Sequence, residues 1–284
     1  MDIMTSNRQR RDAAVPDPES GYPGDEPSHE IDETVDMFRP EASAASPAIV
    51  FFDSVSKRFP GGFSALEGVT LSIDSGEFVF LVGASGAGKS SLLRLIYAEH
   101  EPSEGAVYFY GRDLSTIRRK HLPYYRRNIG TVFQDFKLLP QKTAFENIAY
   151  ALEVYGRPTE DILVEVPEIL DIAGLSEKAD LYPRELSGGE QQRVAIARAL
   201  ILQPRMIIAD EPTGNLDPRS ADEVLDLLTE INSLGTTVIF ATHNQGLVDR
   251  IGRRVVTLDD GRIVRDERQG TYRLPEKHRP RHAV

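Results

Sequence analysis

The chain has 284 residues and a net charge of −11, and hydrophobic residues make up 40 % of it, enough to build a sizeable core. The acidic balance argues against general nucleic-acid binding, which requires a basic face, and the absence of cysteine excludes disulfides and thiolate metal sites. No 18 consecutive residues are apolar, so we expect any membrane role to depend on a partner.

The N-terminal residues 1–46 are rich in Pro, Ser, Ala and acidic side chains and poor in apolar ones. Such a composition buries too little apolar surface to offset the entropy lost on ordering, so it predicts a disordered acidic extension. An ordered domain is expected over residues 47–264. A C-terminal tail is expected over residues 265–284, where periodicity is lost from Gln269 onward.

Three short apolar stretches predict β-strands in the first half of the ordered region. They cover residues 49–52, 69–73 and 106–110, and turn residues lie close to each of them. Short strands with nearby turns are typical of a small antiparallel sheet. We expect this sheet to lie beside the glycine-rich loop that separates the second stretch from the third.

That glycine-rich loop is the strongest signal in the chain. The apolar residues 78–82 run into residues 83–90, which read Gly-Ala-Ser-Gly-Ala-Gly-Lys-Ser, and apolar residues at helical spacing follow. Glycines let backbone N–H groups turn around phosphate oxygens, and the helix start adds a positive end. Lys89 is expected to reach the β- and γ-phosphates, and Ser90 to ligate Mg²⁺. The predicted nucleotide contacts are Gly83, Ala84, Ser85, Gly86, Ala87, Gly88, Lys89, Ser90 and Ser91.

The second half of the ordered region alternates between helix and strand. Residues 144–174 are mostly helical in pattern. Residues 206–209 and 237–241 are continuous apolar runs that suit buried parallel strands. Together with the glycine-rich loop, these elements predict an α/β sheet whose ligand lies at the carboxyl ends of its strands.

A further helix is predicted between those two strands. Ser220 and Glu223 form a capping-box pattern, and apolar residues at helical spacing follow them. Gly235 is expected to end the helix, since glycine readily adopts the left-handed conformation found there.

Two acidic residues follow the apolar run at 206–209. Asp210 is expected to emerge beside the phosphates, where a carboxylate can hold Mg²⁺ through its water shell. Glu211 comes one residue later, where a carboxylate can polarise an attacking water. The plain alternative is a solvated acidic turn, and the glycine-rich loop earlier in the chain makes it the weaker one.

A second helix start suited to anions lies further along the chain. Residues 186–192 read Leu-Ser-Gly-Gly-Glu-Gln-Gln and lead into a helix with Val194, Ala197 and Ile201 on one face. The chain thus has two such helix starts but one lysine-bearing loop. In these motifs the sequence resembles the ATP-binding cassette (ABC) ATPases, over roughly residues 48–264.

The resemblance implies the fold of an ABC nucleotide-binding domain. That fold is α/β: a P-loop NTPase (RecA-like) core with an antiparallel β subdomain and an α-helical subdomain, here at about residues 136–186. It also implies a head-to-tail homodimer that holds ATP and Mg²⁺ between the phosphate loop of one copy and the signature motif of the other. The contacts implied for the signature and for the D-loop at residues 215–217 are Ser187, Gly188, Gly189, Glu190 and Asp217.

The other motifs of the family match residue by residue. Gln134 matches the Q-loop glutamine that senses Mg²⁺ and water, and His243 matches the switch histidine that contacts the γ-phosphate. Phe59 fits the position that stacks on adenine, where the family more often has tyrosine, and Phe63 is a rival. Stacking hardly discriminates purines, so GTP stays open. The resemblance implies Glu211, His243, Gln134 and Lys89 as catalytic residues and Ser90, Gln134 and Asp210 as Mg²⁺ ligands.

Within the family, the chain looks most like the cell-division ATP-binding proteins of the FtsE type. The matching stretches are residues 95–105, 126–139 and 210–217. This likeness implies a peripheral ATPase at the cytoplasmic face of the plasma membrane, at the division site. Its expected partner is an integral membrane subunit resembling FtsX, through which it controls cell-wall hydrolases. The docking surface is expected around Phe136, Leu138, Leu139 and the helix near Phe145.

Two alternatives stay open. Residues 210–217 also match lipoprotein-release and macrolide-export cassettes, so the chain could serve a transporter of that type. It could also be a nucleotide-gated scaffold with negligible turnover, although the presence of Glu211, Gln134 and His243 favours the enzyme.

Overall fold

The computed structural model describes residues 48–275. The extension predicted over residues 1–46 and the last residues of the predicted tail lie outside that range. Within it, no helix is both long enough and apolar enough to cross a membrane.

The described residues form strands and helices that alternate along most of the chain. The strands are β1 (Ala48–Arg58), β2 (Ser64–Asp74), β3 (Phe78–Val82), β4 (Glu104–Phe109), β5 (Arg112–Asp113), β6 (Ile129–Phe133), β7 (Met206–Asp210), β8 (Thr237–Thr242), β9 (Arg254–Asp259) and β10 (Arg262–Glu267). The helices are α1 (Lys89–Ile96), α2 (Leu122–Arg126), α3 (Ala144–Val154), α4 (Thr159–Ile172), α5 (Gly188–Leu200), α6 (Pro218–Ser233) and α7 (Gln245–Ile251).

The strands are arranged in two sheets. The first is antiparallel and has the order β2-β1-β4-β5, and the second has the order β10-β9-β3-β8-β7-β6. In the second sheet, β3, β6, β7, β8 and β9 are parallel to their neighbours, whereas β10 pairs antiparallel with β9. Both the antiparallel sheet and the parallel strands predicted from the sequence are therefore observed.

Strand β3 shows how the core is divided. All five of its residues are buried. Phe78, Phe80 and Val82 belong to the apolar cluster that also contains helices α3 to α6, while Val79 and Leu81 belong to the cluster beneath the antiparallel sheet and α1. Side chains alternate between the two faces of a strand, so a strand covered on both faces is apolar throughout.

Four parallel strands end at the same edge of the second sheet. Phe133 of β6 is in register with Asp210 of β7, Asp210 with Ala241 of β8, and Val82 of β3 with Thr242 of β8. The residues that follow these strands therefore meet at one place. That edge is where the open α/β arrangement puts a ligand.

The helical region predicted over residues 144–174 consists of two helices. Helix α3 begins with a capping box in which the Thr143 hydroxyl accepts from the Glu146 N–H and the Glu146 carboxylate accepts from the Thr143 N–H. The chain then turns at Gly156, which has a φ of 68°. Pro158, which cannot donate a backbone hydrogen bond, precedes the first residue of α4.

The start of helix α6 differs from the prediction. The helix begins at Pro218, and its cap is Asp217 rather than Ser220, because the Asp217 carboxylate accepts from the N–H groups of Arg219 and Ser220. Proline is well suited to the first helical position, where its missing N–H costs nothing. Glu223 does not close a capping box and instead pairs with Arg193 at 2.6 Å. Past the helix end, Gly235 has a φ of 103°, as predicted.

The last strand continues beyond the predicted end of the domain. Arg265, Asp266 and Glu267 are paired with Thr257, Val256 and Val255 of β9, so the strand runs three residues past residue 264. The observed strand is longer than predicted because backbone hydrogen bonds to β9 continue past residue 264. Charged side chains do not prevent such pairing at the edge of a sheet.

Candidate nucleotide-binding site

The glycine-rich loop joins β3 to α1 where the two sheets approach each other. A Cβ added to Gly83 would lie 2.5 Å from the Leu258 carbonyl oxygen, and one added to Gly88 would lie 2.4 Å from the Ala65 carbonyl oxygen. Gly88 also has a φ of 107°. Both positions therefore require glycine, because any side chain there would collide with backbone.

Helix α1 begins directly after this loop. Its cap is Gly88, so no side chain satisfies the first N–H groups of the helix. Those groups point into the loop and carry the positive end of the helix dipole. The sequence thus builds an anion-binding helix start at this edge of the sheet.

Lys89 folds back over its own loop. Its ammonium donates to the carbonyl oxygen of Gly83 at 2.8 Å and to that of Ala84 at 3.3 Å. It also lies 3.7 Å from Glu211 Oε1. Lys89 is only 8 % exposed, so its charge is compensated by these partners rather than by bulk water.

The two acidic residues at the end of β7 lie in different environments. Burial raises the pKa of Asp210, and a hydrogen bond from Ser90 partly offsets that rise. Glu211 has a φ of 51°, a left-handed conformation that costs a non-glycine residue of order 1–3 kcal/mol. Strain of this kind is concentrated at functional sites, where the surrounding structure holds a side chain in a required direction.

Glu211 is paired with His243, which follows the neighbouring strand β8. The distance between Glu211 Oε2 and His243 Nδ1 is 2.8 Å, and the backbone N–H of His243 donates to the same oxygen at 3.3 Å. The His243 side chain is 67 % exposed. One carboxylate thus holds the histidine while its other oxygen faces Lys89.

Gln134, which follows β6, is tied to the loop after β7. Its amide nitrogen donates to Asn215 Oδ1 at 3.0 Å, and the Asn215 amide donates back to the Gln134 carbonyl oxygen at 3.3 Å. A Cβ on Gly214 would lie 2.8 Å from the Gln134 amide nitrogen, so the Gln134 side chain would have to shift if residue 214 carried a side chain.

These residues line one cleft of about 640 Å³. The predicted residues around it are Gly83, Ala84, Ser85, Gly86, Ala87, Gly88, Lys89, Ser90, Ser91, Gln134, Asp210, Glu211 and His243. They come from four separate parts of the chain. The cleft therefore unites a phosphate-binding loop with a lysine, two carboxylates, a glutamine and a histidine.

The second predicted helix start lies outside this cleft. Ser187 caps α5, and its hydroxyl accepts from the Glu190 N–H while the Glu190 carboxylate accepts from the Ser187 N–H. That backbone hydrogen bond is the main cause of a lowered pKa for Glu190. The residues at this helix start do not line the cleft of their own chain, and the D-loop residue does not line it either. They are Ser187, Gly188, Gly189, Glu190 and Asp217.

Comparison with known proteins agrees with this geometry. The profile of the family described as "ABC transporter" matches residues 66–214. The "Cell division ATP-binding protein FtsE" of Bacillus subtilis (strain 168) is 52 % identical over 218 residues, which is 77 % of this chain and 96 % of that protein. The protein of the same name from Mycobacterium tuberculosis (strain ATCC 25618 / H37Rv) is 50 % identical over 225 residues, 79 % of this chain and 98 % of that one.

The chain belongs to the ABC transporter family. Among solved structures, the ATP-binding cassette MJ0796, in a dimeric post-hydrolysis state bound to ADP and Pi, has a TM-score of 0.70 and 37 % identity, covering 78 % of this chain and 100 % of that one. The resemblance inferred from the motifs is therefore confirmed, together with the fold class. As a member of this family with relatives named as ATP-binding proteins, the chain is an ATPase.

The aromatic residue at the edge of the cassette's cleft is Phe63 rather than Phe59. Phe63 is 61 % exposed and lines the cleft, while Phe59 does not line it. The two rings are stacked with centroids 6.4 Å apart, and His100 packs edge-on against Phe59 at 5.4 Å. Phe59 thus lies behind Phe63, and which ring meets the base stays a prediction.

Three further residues line the cleft that sequence reasoning did not single out: Ala65, Tyr272 and Leu274. Ala65 lies on β2, and its carbonyl oxygen is the atom that Gly88 approaches. Tyr272 and Leu274 fall in the predicted tail. That stretch shows no periodicity, and the first turn residue in it is Gly270, which precedes both side chains.

Proposed function

We propose that the chain is the ATP-hydrolysing subunit of a membrane-bound complex of the FtsEX type, which controls cell-wall hydrolases during cell division. The proposal is carried by one arrangement, the Glu211 carboxylate held between Lys89 and His243 at the mouth of the phosphate loop. Relatives named cell division ATP-binding protein FtsE, which the chain matches over almost their full length, support the cell-division role. They do not favour a lipoprotein or macrolide exporter.

The phosphate loop binds the triphosphate. Backbone N–H groups of residues 83–91 surround the phosphates, and the start of α1 contributes its positive end. Lys89 moves from its carbonyl partners to the β- and γ-phosphates, which are stronger acceptors because they are charged. Stacking on one of the two neighbouring rings, Phe59 or Phe63, holds the base.

The residues present fit an Mg²⁺ ion. A hydrogen bond from Ser90 works against the burial that raises the pKa of the half-buried Asp210 carboxylate, so the two groups lie together, and Gln134 lines the same cleft. Mg²⁺ is usually held by one or two carboxylates and substrate phosphates, and keeps several waters. When bound, the ion neutralises charge that develops on the phosphates. Ser90, Asp210 and Gln134 would hold it.

Glu211 acts on the attacking water. Its carboxylate accepts a proton from the water or orients it, with Gln134 lining the same cleft. His243, which is held by Glu211 Oε2, contacts the γ-phosphate. Positioning and charge neutralisation supply most of the acceleration in phosphoryl transfer, and both require these groups to be fixed before reaction.

A second copy of the chain completes the site. Ser187, Gly188, Gly189 and Glu190 start a helix outside the cleft of their own chain, and a head-to-tail dimer brings them onto the γ-phosphate of the partner copy, next to the D-loop residue Asp217. The dimeric cassette structures of MJ0796 support this arrangement. Loss of the γ-phosphate removes several charge-assisted hydrogen bonds at once, so hydrolysis opens the dimer.

The membrane partner is an integral subunit resembling FtsX. The turn after Gln134 and the start of α3 offer half-buried apolar side chains for docking, namely Phe136, Leu138, Leu139 and Phe145. We infer that the chain is a peripheral protein on the cytoplasmic face of the plasma membrane, at the division site.

Exchange of Glu211 for glutamine tests the base assignment. In the full-length chain with its membrane partner, Glu211→Gln should bind ATP with unchanged affinity, lose phosphate release by about 10²-fold or more, and accumulate as a nucleotide-bound dimer. Glu168→Gln serves as the carboxylate control, because Glu168 is exposed on α4 and does not line the cleft. Undiminished phosphate release from Glu211→Gln would contradict the mechanism. A co-purified membrane subunit of the exporter class would contradict the cell-division role.

A further inference from the structure

The last described residues pack back onto the nucleotide cleft. After β10 ends at Glu267, the chain turns, and Tyr272 packs against the apolar cluster to which Leu247 and Val248 of α7 belong. Tyr272 and Leu274 also line the cleft. We call residues 270–274 the C-terminal strap.

Gly270 fixes the path of the strap. Its N–H donates to the Arg253 carbonyl oxygen at 3.1 Å. A Cβ added to Gly270 would lie 2.7 Å from Cβ of Val255, a buried residue of β9. A larger side chain at this position would therefore push the strap away from the sheet.

Two side chains hold the next residues of the strap. Arg265 donates to the Thr271 carbonyl oxygen at 2.8 Å, and the Asp249 carboxylate accepts from the Tyr272 N–H at 2.6 Å. Asp249 lies on α7, whose cap is Asn244, the residue directly after His243. The strap is thereby tied to the helix that starts next to the predicted switch histidine.

Tyr272 lines the cleft together with Glu211 and His243. Burial, and then the negative charge of Glu211, raise the pKa of Tyr272 above its ordinary value of 10.0. The phenol is therefore neutral at physiological pH. The strap reaches the cleft from α7, the helix that begins after His243, so Tyr272 lies on the side where His243 meets the γ-phosphate in the proposed function.

We propose that Tyr272 is a further positioning residue of the nucleotide site, a wall supplied by the same chain that lies beside the γ-phosphate end of the cleft, leaves the second copy to close it, and favours a nucleoside triphosphate over a diphosphate. The inference rests on the nucleotide orientation given under the proposed function. An aromatic ring at this end excludes water from around the last phosphate, and exclusion of water strengthens the attraction between that phosphate and Lys89.

The test compares affinities for two nucleotides in the full-length chain. Isothermal titration calorimetry with Mg²⁺ measures the Kd of AMPPNP, a non-hydrolysable ATP analogue, and the Kd of ADP. Tyr272→Ala should raise the Kd of AMPPNP about tenfold and that of ADP less than about twofold, because the lost wall faces the third phosphate. Tyr272→Phe should restore most of the AMPPNP affinity, since the ring is retained.

A second variant moves the strap without altering the tyrosine. Gly270→Val should reproduce the selective loss of AMPPNP affinity through its collision with Val255. Tyr150→Ala is the matched control, because Tyr150 is 43 % exposed on α3 and does not line the cleft. It should leave both affinities unchanged.

Three results would overturn the inference. Equal losses for AMPPNP and ADP in Tyr272→Ala would assign the residue a purely structural role. Tighter AMPPNP binding would make the strap an obstruction, and unchanged affinities in both Tyr272→Ala and Gly270→Val would exclude it from the site. A wild-type chain that binds neither nucleotide would instead refute the proposed function.

Discussion

We predict that replacing Arg198 by alanine releases the turn that follows Gln134. The Arg198 guanidinium, on α5, donates to the Lys137 carbonyl oxygen at 2.7 Å and to the Phe136 carbonyl oxygen at 3.0 Å. Phe136 and Lys137 have φ values of 55° and 51°, so the turn holds two non-glycine residues in the left-handed region. Arg198 thus connects the helix that starts at Ser187 with the loop that carries Gln134.

The expected loss follows from two opposing contributions. Hydrogen bonds from a charged donor contribute about 2 kcal/mol each, so the pair supplies about 4 kcal/mol. The left-handed conformation costs about 1 kcal/mol at each residue, and a released turn regains about 2 kcal/mol by relaxing. We therefore expect Arg198→Ala to lower the free energy of unfolding by about 2 kcal/mol.

Urea unfolding of the full-length chain measures this loss as a shift in the transition midpoint at unchanged slope. The matched control is Arg193→Ala on the same helix, where Arg193 pairs with the partly exposed Glu223 at 2.6 Å. Such pairs contribute about 0–1 kcal/mol. Equal losses in the free energy of unfolding for the two variants would refute the reasoning. The hydrogen bonds from Arg198 to backbone carbonyls would then contribute no more than the ion pair of Arg193.

Two other predictions concern the loop and the second helix start. Gly88→Ala should abolish nucleotide binding in a calorimetric titration, since the new Cβ would meet the Ala65 carbonyl oxygen at 2.4 Å. Gly111→Ala is the control and should still bind nucleotide, because Gly111 also has a positive φ, 75°, but open space around it. The pKa of Glu190 is lowered below its ordinary value of 4.5, so its contribution to stability is present above that pH and is lost as the pH falls through the folded-state pKa. Melting temperatures of Glu190→Gln should therefore fall less steeply on acidification than those of the wild type, and parallel curves would contradict this.

Much of the site could be predicted because its residues follow strands. A strand of continuous apolar residues is recognisable on its own, and in a parallel sheet the residue after its last position reaches the common edge. Asp210 and Glu211 were assigned from that rule, and His243 was assigned from the family resemblance and its place after a strand. The structure brings all three into one cleft with the loop at residues 83–91. Their roles in catalysis stay predictions until the variants are measured.

Two features were missed for the same physical reason, the cap of α6 and the place of Tyr272. Both depend on contacts that spacing along the sequence does not encode. The cap of α6 was assigned to Ser220 from the box pattern with Glu223, but Pro218 fixes the helix start earlier and leaves Asp217 to cap it. Tyr272 lies 61 residues after Glu211 in sequence and reaches the cleft through the anchors of Gly270 and Asp249. No periodicity marks such a segment, because its conformation is set by packing rather than by regular backbone bonding.

In the proposed mechanism, both carboxylate oxygens of Glu211 already have partners before a nucleotide binds. Glu211 is 3.7 Å from Lys89 through one carboxylate oxygen and 2.8 Å from His243 through the other. Phosphates that draw Lys89 away free the first oxygen for water, while His243 still holds the second and fixes the carboxylate. Glu211 can therefore act on water only when a nucleotide already fills the phosphate loop. Because Ser187 lies outside this cleft, the second copy is still required to close it, so turnover depends on nucleotide and dimer together.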